Sequence, residues 1–445
     1  MKELLCLFIL FFCFSNNIEA QDNFIIQNKR GKDRVRFKLI NNLIIFPVEV
    51  NGVKLSFLLD TGVSKPMIFN ILNVSDSLKI DNTETIFLRG LGEGESIEAL
   101  KSKNNILKIG HAIKLNQDLY AIYNRHLDFT PKLGVPIHGI IGYDILKDFV
   151  VEINYSKKYL KFHEPSRYEY KDCESCEVFN LEFYNSKPYF YGMVNLNDRS
   201  IPVKLLIDSG GSDALWLFED KELGLSAGTN YFKDFLGHGL NGSVYGKRSK
   251  VDSFSFKSFK LNNVNVAYPD STSVSFARVI KGRNGSISGS LLKRFNIILD
   301  YGKAKMTLKK NGNFKKKFYY NKSGIVVEYS GYRFVKTRRN KGYVFNDQTL
   351  ENDNKSVFNI KYDITLKPAF AIVELRKDSP AEKSGLRKGD VILAINGKST
   401  HSYTLQQVTQ LFQDEDGKLL KLKVDRNDRA LSFSFRLQDL LKKKT

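Results

Sequence analysis

Through the first two thirds of the chain, apolar positions come in short runs broken by turn residues. Leu43-Ile44-Ile45-Phe46-Pro47-Val48 and Tyr189-Phe190-Tyr191-Gly192-Met193-Val194 have strand length and are rich in β-branched and aromatic residues. Asn51-Gly52 and Asn197-Asp198 follow them, as two-residue hairpin turns require. The pattern predicts a mainly β chain, with short helices near Tyr143 to Lys147 and Ser290 to Arg294. Beyond about residue 318 the pattern changes. Ser379-Pro380-Ala381-Glu382-Lys383-Ser384-Gly385 reads as a short helix capped by Ser379, opened by Pro380 and ended by Gly385. Val391-Ile392-Leu393-Ala394-Ile395 reads as a strand, and Asn396-Gly397 as a turn. Leu405 to Phe412 reads as an amphipathic helix, with Leu405, Val408, Leu411 and Phe412 on one face.

One arrangement of residues occurs twice. Phe57-Leu58-Leu59-Asp60-Thr61-Gly62 is answered by Leu205-Leu206-Ile207-Asp208-Ser209-Gly210. A carboxylate at the end of a buried strand is costly unless something satisfies or uses it. Gly-rich segments follow each copy, with Gly90, Gly92 and Gly94 in the first and Gly237 and Gly239 in the second. Then come Ile141-Gly142 and Ser288-Gly289. Asp60 precedes Gly142 by 82 positions, and Asp208 precedes Gly289 by 81. A register held over that distance marks an internal duplication.

These residues resemble the aspartic peptidases, over roughly residues 34 to 310, and look closer to the bacterial retropepsin-type branch than to pepsin. The resemblance implies a two-lobed acid-protease-like β fold, with lobes at 34–165 and 177–310. It implies that Asp60 and Asp208 are the catalytic pair, supported by Thr61, Gly62, Ser209 and Gly210. Gly90, Gly92, Gly94, Gly237 and Gly239 would lie in mobile flaps. Ile141, Gly142, Ser288 and Gly289 would form the ψ-shaped loops behind the pair. The block Ser379-Pro380-Ala381 to Gly389-Asp390 is similar to a PDZ domain of the bacterial protease-associated type, spanning 318–440. By that resemblance Ser323, Gly324, Ile325, Leu405 and Val408 line a groove for peptide C-termini. Residues 331 to 366 read as an insertion.

Composition changes this picture only at its edges. The net charge is +21, and residues 303 to 341 hold 13 Lys or Arg against the single acid Glu328. A basic stretch of this kind is expected to be a solvated linker and exposed strand faces, so no nucleic-acid partner is expected. Leu4 to Phe14 follows Lys2 as an 11-residue apolar run, which reads as a signal peptide over residues 1–20 and is too short to span a bilayer. The mature chain is therefore expected to be exported, periplasmic or extracellular, without a transmembrane segment. Cys173 and Cys176 are expected to form a small disulfide between the lobes. The six histidines show no metal-ligand spacing and there is no phosphate-loop motif, so no metal and no cofactor is expected. The expected function is aspartic endopeptidase action on polypeptides, with the PDZ domain handling substrate C-termini or access. The alternative is a catalytically silent peptide-binding PDZ protein that keeps the protease fold.

Overall fold

The computed structural model describes residues 23–70, 77–123, 127–338 and 362–442. The expected signal peptide and the middle of the expected insertion lie outside them. Among the described residues no helix is long and apolar enough to cross a membrane.

Each lobe is built around a hairpin whose turn is visible in the sequence. Asn51 (φ 47°) and Gly52 (φ 86°) join Leu43–Val50 to Val53–Leu59. Asn197 (φ 49°) and Asp198 (φ 59°) join Lys187–Leu196 to Arg199–Asp208. Positive φ at both central positions matches the right-handed twist of the strands, which is why Asn, Gly and Asp stand there. A parallel strand then inserts beside each hairpin. Gly139–Ile141 pairs with Phe57 to Leu59, and Arg283–Ser288 pairs with Lys204 to Asp208. Gly139–Ile141 is flanked on its other side by antiparallel Met67–Phe69, and Arg283–Ser288 by antiparallel Leu215–Leu217. The duplication is thus present in the topology as well as the sequence.

The lobes share a third, six-stranded sheet. Lys32–Arg36, Val150–Asn154 and Tyr159–His163 come from the first half, and Cys176–Asn180, Phe295–Asp300 and Lys305–Lys310 from the second. Its seam is Val150 to Ile153 against Asp300 to Ile297. One apolar core, containing Phe46, Phe57, Phe162, Phe190, Phe254 and Phe295, runs through both lobes. The first lobe begins earlier than the expected residue 34, because Ile25–Ile26 pairs with Ala112 and Ile113. Cys173 and Cys176 are disulfide-bonded in the connection between the lobes.

The C-terminal domain has its own sheet and core, with Ile325, Ile372, Ile392, Val408, Phe412 and Leu422 buried together. Its Gly389-Asp390 motif has a structural use. Buried Asp390 accepts from Arg426 Nε at 2.6 Å and Nη2 at 2.7 Å, and from the Arg387 N–H at 2.9 Å. Ser379 caps Pro380–Lys383 as expected, and Thr404 with Gln407 forms a capping box on Leu405–Leu411. The expected insertion begins as a two-stranded ribbon that lengthens Ile325–Arg338 and Tyr362–Leu375, with residues 339–361 outside the described residues.

Candidate active site

Asp60 and Asp208 end the two central strands and face a shared cavity of about 1000 Å³. The hydroxyl residues that follow them are buried, and each reaches into the opposite lobe. Thr61 Oγ1 donates to the Ile207 carbonyl at 2.5 Å and accepts from the Ser209 N–H at 3.0 Å. Ser209 Oγ donates to the Leu59 carbonyl at 2.8 Å and accepts from the Thr61 N–H at 3.0 Å. Four bonds among buried groups therefore fix one carboxylate relative to the other. The Gly62 N–H donates to Asp60 Oδ1 at 2.7 Å. The N–H groups of Gly210 and Gly211 donate to Asp208 Oδ1 at 3.0 and 3.1 Å.

The glycines here are required by close approach. A β-carbon on residue 210 would sit 2.3 Å from Asp60 Cγ, and one on residue 142 would sit 1.9 Å from the Asp60 carbonyl oxygen. One on residue 211 would lie 2.7 Å from Ser288 Oγ and 3.3 Å from Asp208 Oδ2. Ile141 supports the first strand by accepting the Asp60 N–H at 2.9 Å, and Gly289 donates to the Gly211 carbonyl at 2.8 Å.

Burial, reinforced by Asp208, pushes Asp60 up to about 7, while the Gly62 N–H opposes the shift. Burial also raises Asp208, against Arg283 and the N–H groups of Gly210 and Gly211. Two adjacent carboxyls shielded from water cannot both ionise cheaply, which favours one proton shared between them. The arrangement can therefore present an acid and a base to one substrate bond.

The glycine-rich segments lie at the tips of the hairpins Thr83–Leu88/Ile97–Ile109 and Phe232–Gly239/Gly242–Phe256. The tips meet around Asn241, which the sequence reading did not single out. Asn241 Oδ1 accepts from the Gly90 N–H at 2.5 Å, and its carbonyl accepts from Gly94 at 2.7 Å. Its N–H donates to the Leu91 carbonyl at 2.8 Å, and its amide nitrogen donates to the Glu95 carbonyl. A β-carbon on residue 92 or 94 would strike the Asn241 backbone, and one on residue 239 would strike Leu91. Gly237 sits at a bulge with φ 149°.

Of the five expected groove residues of the C-terminal domain, Ile325 and Leu405 line the cavity, whereas Ser323, Gly324 and Val408 do not. Leu405 and Val408 face inward with Phe412 as part of the domain core, because that helix must cover its own sheet. Gln406, Thr409, Gln410 and Gln413 line the cavity beyond Leu405. The loop assigned to a ligand carboxylate is satisfied internally. Asn321 Oδ1 accepts from the Ser323 and Gly324 N–H groups, both at 3.0 Å, and Ser323 Oγ accepts from the Ile325 N–H at 3.0 Å. A β-carbon on Gly134, just past the first-lobe helix Thr130–Leu133, would be 3.0 Å from the Leu405 β-carbon. Ile325, Val327 and Glu328 line the same cavity as the two aspartates.

The domain also holds the second hairpin. Buried Arg376 stacks on Phe232 at 4.4 Å and pairs with Asp234 at 3.7 Å. Arg248 links Asp234 at 2.8 Å to Asp213 at 2.9 Å. The basic segment divides among separate settings: Lys316 and Lys317 line the cavity, whereas Lys322 is buried and donates to the Gln413 and Asp414 carbonyls. No cluster that could hold a metal ion occurs among the described residues.

Comparison with known sequences fits this geometry. Residues 46–145 and 193–292 each match the aspartyl protease family, and residues 372–426 match the PDZ domain. The chain carries two aspartyl protease lobes and a PDZ domain. A 50-residue segment is 42% identical to a probable CtpA-like serine protease of Staphylococcus haemolyticus (strain JCSC1435), covering 11% of this chain and 10% of that relative. The chain thus spans about a tenth of the curated relative it matches. The aspartyl protease lobes account for both aspartates, and the PDZ domain forms a side of their cavity.

Proposed function

We propose that this protein is an exported aspartic endopeptidase whose PDZ domain walls one side of the substrate cleft. The observation that carries the reading is the reciprocal bonding of Thr61 and Ser209, which holds two carboxyls at a fixed relation on one cavity. Two N–H donors and the nearby Arg283 favour negative charge on Asp208, so Asp60 carries the shared proton. Asp208 takes a proton from a water as the water oxygen attacks the scissile carbonyl carbon. Asp60 gives its proton to the carbonyl oxygen. Asp208 then gives its newly gained proton to the amide nitrogen while Asp60 takes one back from a hydroxyl of the gem-diol; the C–N bond breaks to acid and amine, the pair returns to its starting state, and no covalent enzyme adduct forms. The flap tips closed on Asn241 would exclude bulk water, and their glycines allow the chain to open for a polypeptide.

The Cys173–Cys176 disulfide supports export to an oxidising compartment. The PDZ strand from Ile325, which lies at a sheet edge among the described residues and lines the cleft, would take an extended peptide as an added strand. The test is digestion of a diverse peptide library by the mature protein, with fragments read by mass spectrometry. Asp60→Asn and Asp208→Asn should each lower turnover by at least about a thousandfold, since each removes a proton-transfer group and misorients the water. Near wild-type cleavage by either variant would refute the assignment.

A further inference from the structure

Beside the two aspartates the cleft holds two cations, Lys187 and Arg283. Antiparallel pairing of Ile45 with Leu58 in the first lobe, continued by two residues, sets Leu43 across from Asp60. The same continuation from Tyr189 and Leu206 in the second lobe sets Lys187 across from Asp208. Duplicated positions thus hold an apolar side chain in one lobe and an ammonium in the other, and both line the cleft. Arg283 opens the parallel strand of the second lobe, whereas the first-lobe stretch leading to Gly139 (Val135-Pro136-Ile137-His138) holds no Lys or Arg. The fold therefore does not need these charges, since its other half is built without them.

Neither cation forms an ion pair with a carboxylate among the described residues. Arg283 donates to the Gly285 carbonyl at 3.3 Å and lies over Tyr189 and Phe218 at 6.0 and 5.4 Å. Burial disfavours the charge on both, and each repels the other; only Asp60 and Asp208 offset this for Lys187, while Asp208 and Tyr189 offset it for Arg283. A pair of carboxyls sharing one proton supplies one negative charge to two positive ones. The remaining surroundings add to the imbalance. Ten Lys or Arg line the cavity against five Asp or Glu; Arg248, one of the ten, holds Asp213 and Asp234. An unmatched cation in a desolvated cleft is costly until an anion arrives.

We propose that Lys187 and Arg283 form an anion-accepting subsite that selects peptides carrying a carboxylate close to the scissile bond. The proposal rests on the endopeptidase reading and names the class of substrate it would take. An acidic side chain and a free chain terminus present the same group, so the experiment must separate them.

The full-length protein is given peptides that differ only in Asp or Asn, or Glu or Gln, at successive positions, each with a free and an amidated C-terminus. The acidic member should have a kcat/KM higher by about tenfold or more, mainly through KM, as expected for a charge-assisted hydrogen bond, and the advantage should shrink with salt. Lys187→Met and Arg283→Met should each collapse the acidic-to-neutral ratio. A cation that served only to set the protonation of the aspartates would change both peptides alike and leave the ratio intact. Preference that follows the free terminus whatever the side chain identifies the carboxylate as terminal, and preference that survives amidation identifies a side chain. Binding of the same peptides to full-length Asp60→Asn, by titration calorimetry, measures the ratio without turnover. Acid-selective binding without cleavage by the wild type would sink the endopeptidase reading and keep the subsite. Equal affinities, or a ratio untouched by both substitutions, would overturn the subsite.

Discussion

Thr61→Val removes a hydroxyl while keeping the shape of the side chain, and so isolates the bonds between the lobes. The Ile207 carbonyl loses the donor at 2.5 Å and the Ser209 N–H loses the acceptor at 3.0 Å. Both groups stay buried, since Ile207 is 2% and Ser209 3% exposed. An orphaned buried polar group costs about 1–3 kcal/mol, so two cost about 2–6 kcal/mol. Thr61→Ser keeps both bonds and loses one methyl, which costs about 1 kcal/mol. Urea unfolding followed by the fluorescence of Trp216, the chain's single tryptophan, reads the second lobe directly. The valine variant should be less stable than the serine variant by at least about 1 kcal/mol. Its kcat should fall by about a hundredfold at conditions where it is folded, because a displacement of about 1 Å of one carboxyl is enough for that loss. If valine matches serine in stability and kcat, the bonds between the lobes do not hold the pair.

The remaining predictions use other groups. In the proposed mechanism activity needs one proton on the carboxyl pair, and Asp60 keeps it up to about 7, so kcat should fall as pH rises through about 7; a profile that peaks well above 8 would contradict this. The folded-state shift of Asp60 is upward from 3.8, so its contribution to stability is complete below 3.8 and is lost as pH rises through about 7. Asp60→Asn should therefore be more stable than the wild type at pH 8 by thermal melting, with the difference vanishing at pH 3. Arg376→Ala removes the cation that ties the PDZ domain to Phe232 and Asp234, at a cost of about 3 kcal/mol in docking. Hydrogen exchange in Phe232–Gly239 should then accelerate, and unchanged protection would show that the PDZ domain does not steady this hairpin.

What the sequence shows well is local or repeated. Asn51-Gly52 and Asn197-Asp198 demand positive φ by residue type alone, and the doubled Asp-hydroxyl-Gly motif keeps its register without any contact being known. The helix from Leu405 is amphipathic as its spacing requires, but spacing does not say what the apolar face meets. A PDZ core needed Val408 and Phe412, which left Gln406 and Gln410 for the cleft. The lysine at 187 was hidden because its meaning depends on the hairpin register that sets it opposite Asp208. Asn241 and Arg376 were hidden for a related reason. Their partners lie more than a hundred residues away, at Gly90 and Asp234, and neither residue type marks such a contact by itself.

On the proposed reading, Asn241 also decides how a polypeptide would lie in the cleft. A cleft with true two-fold symmetry presents the same surroundings to a chain threaded in either direction, although the chain itself has an amino and a carboxyl end. Here one tip supplies an asparagine and the other wraps it with Gly90, Leu91, Gly94 and Glu95, so the roof has a left and a right. The PDZ wall extends only one side of the same space. Gene duplication within a single chain freed the two halves to diverge, and the result is a cleft with a built-in reading direction.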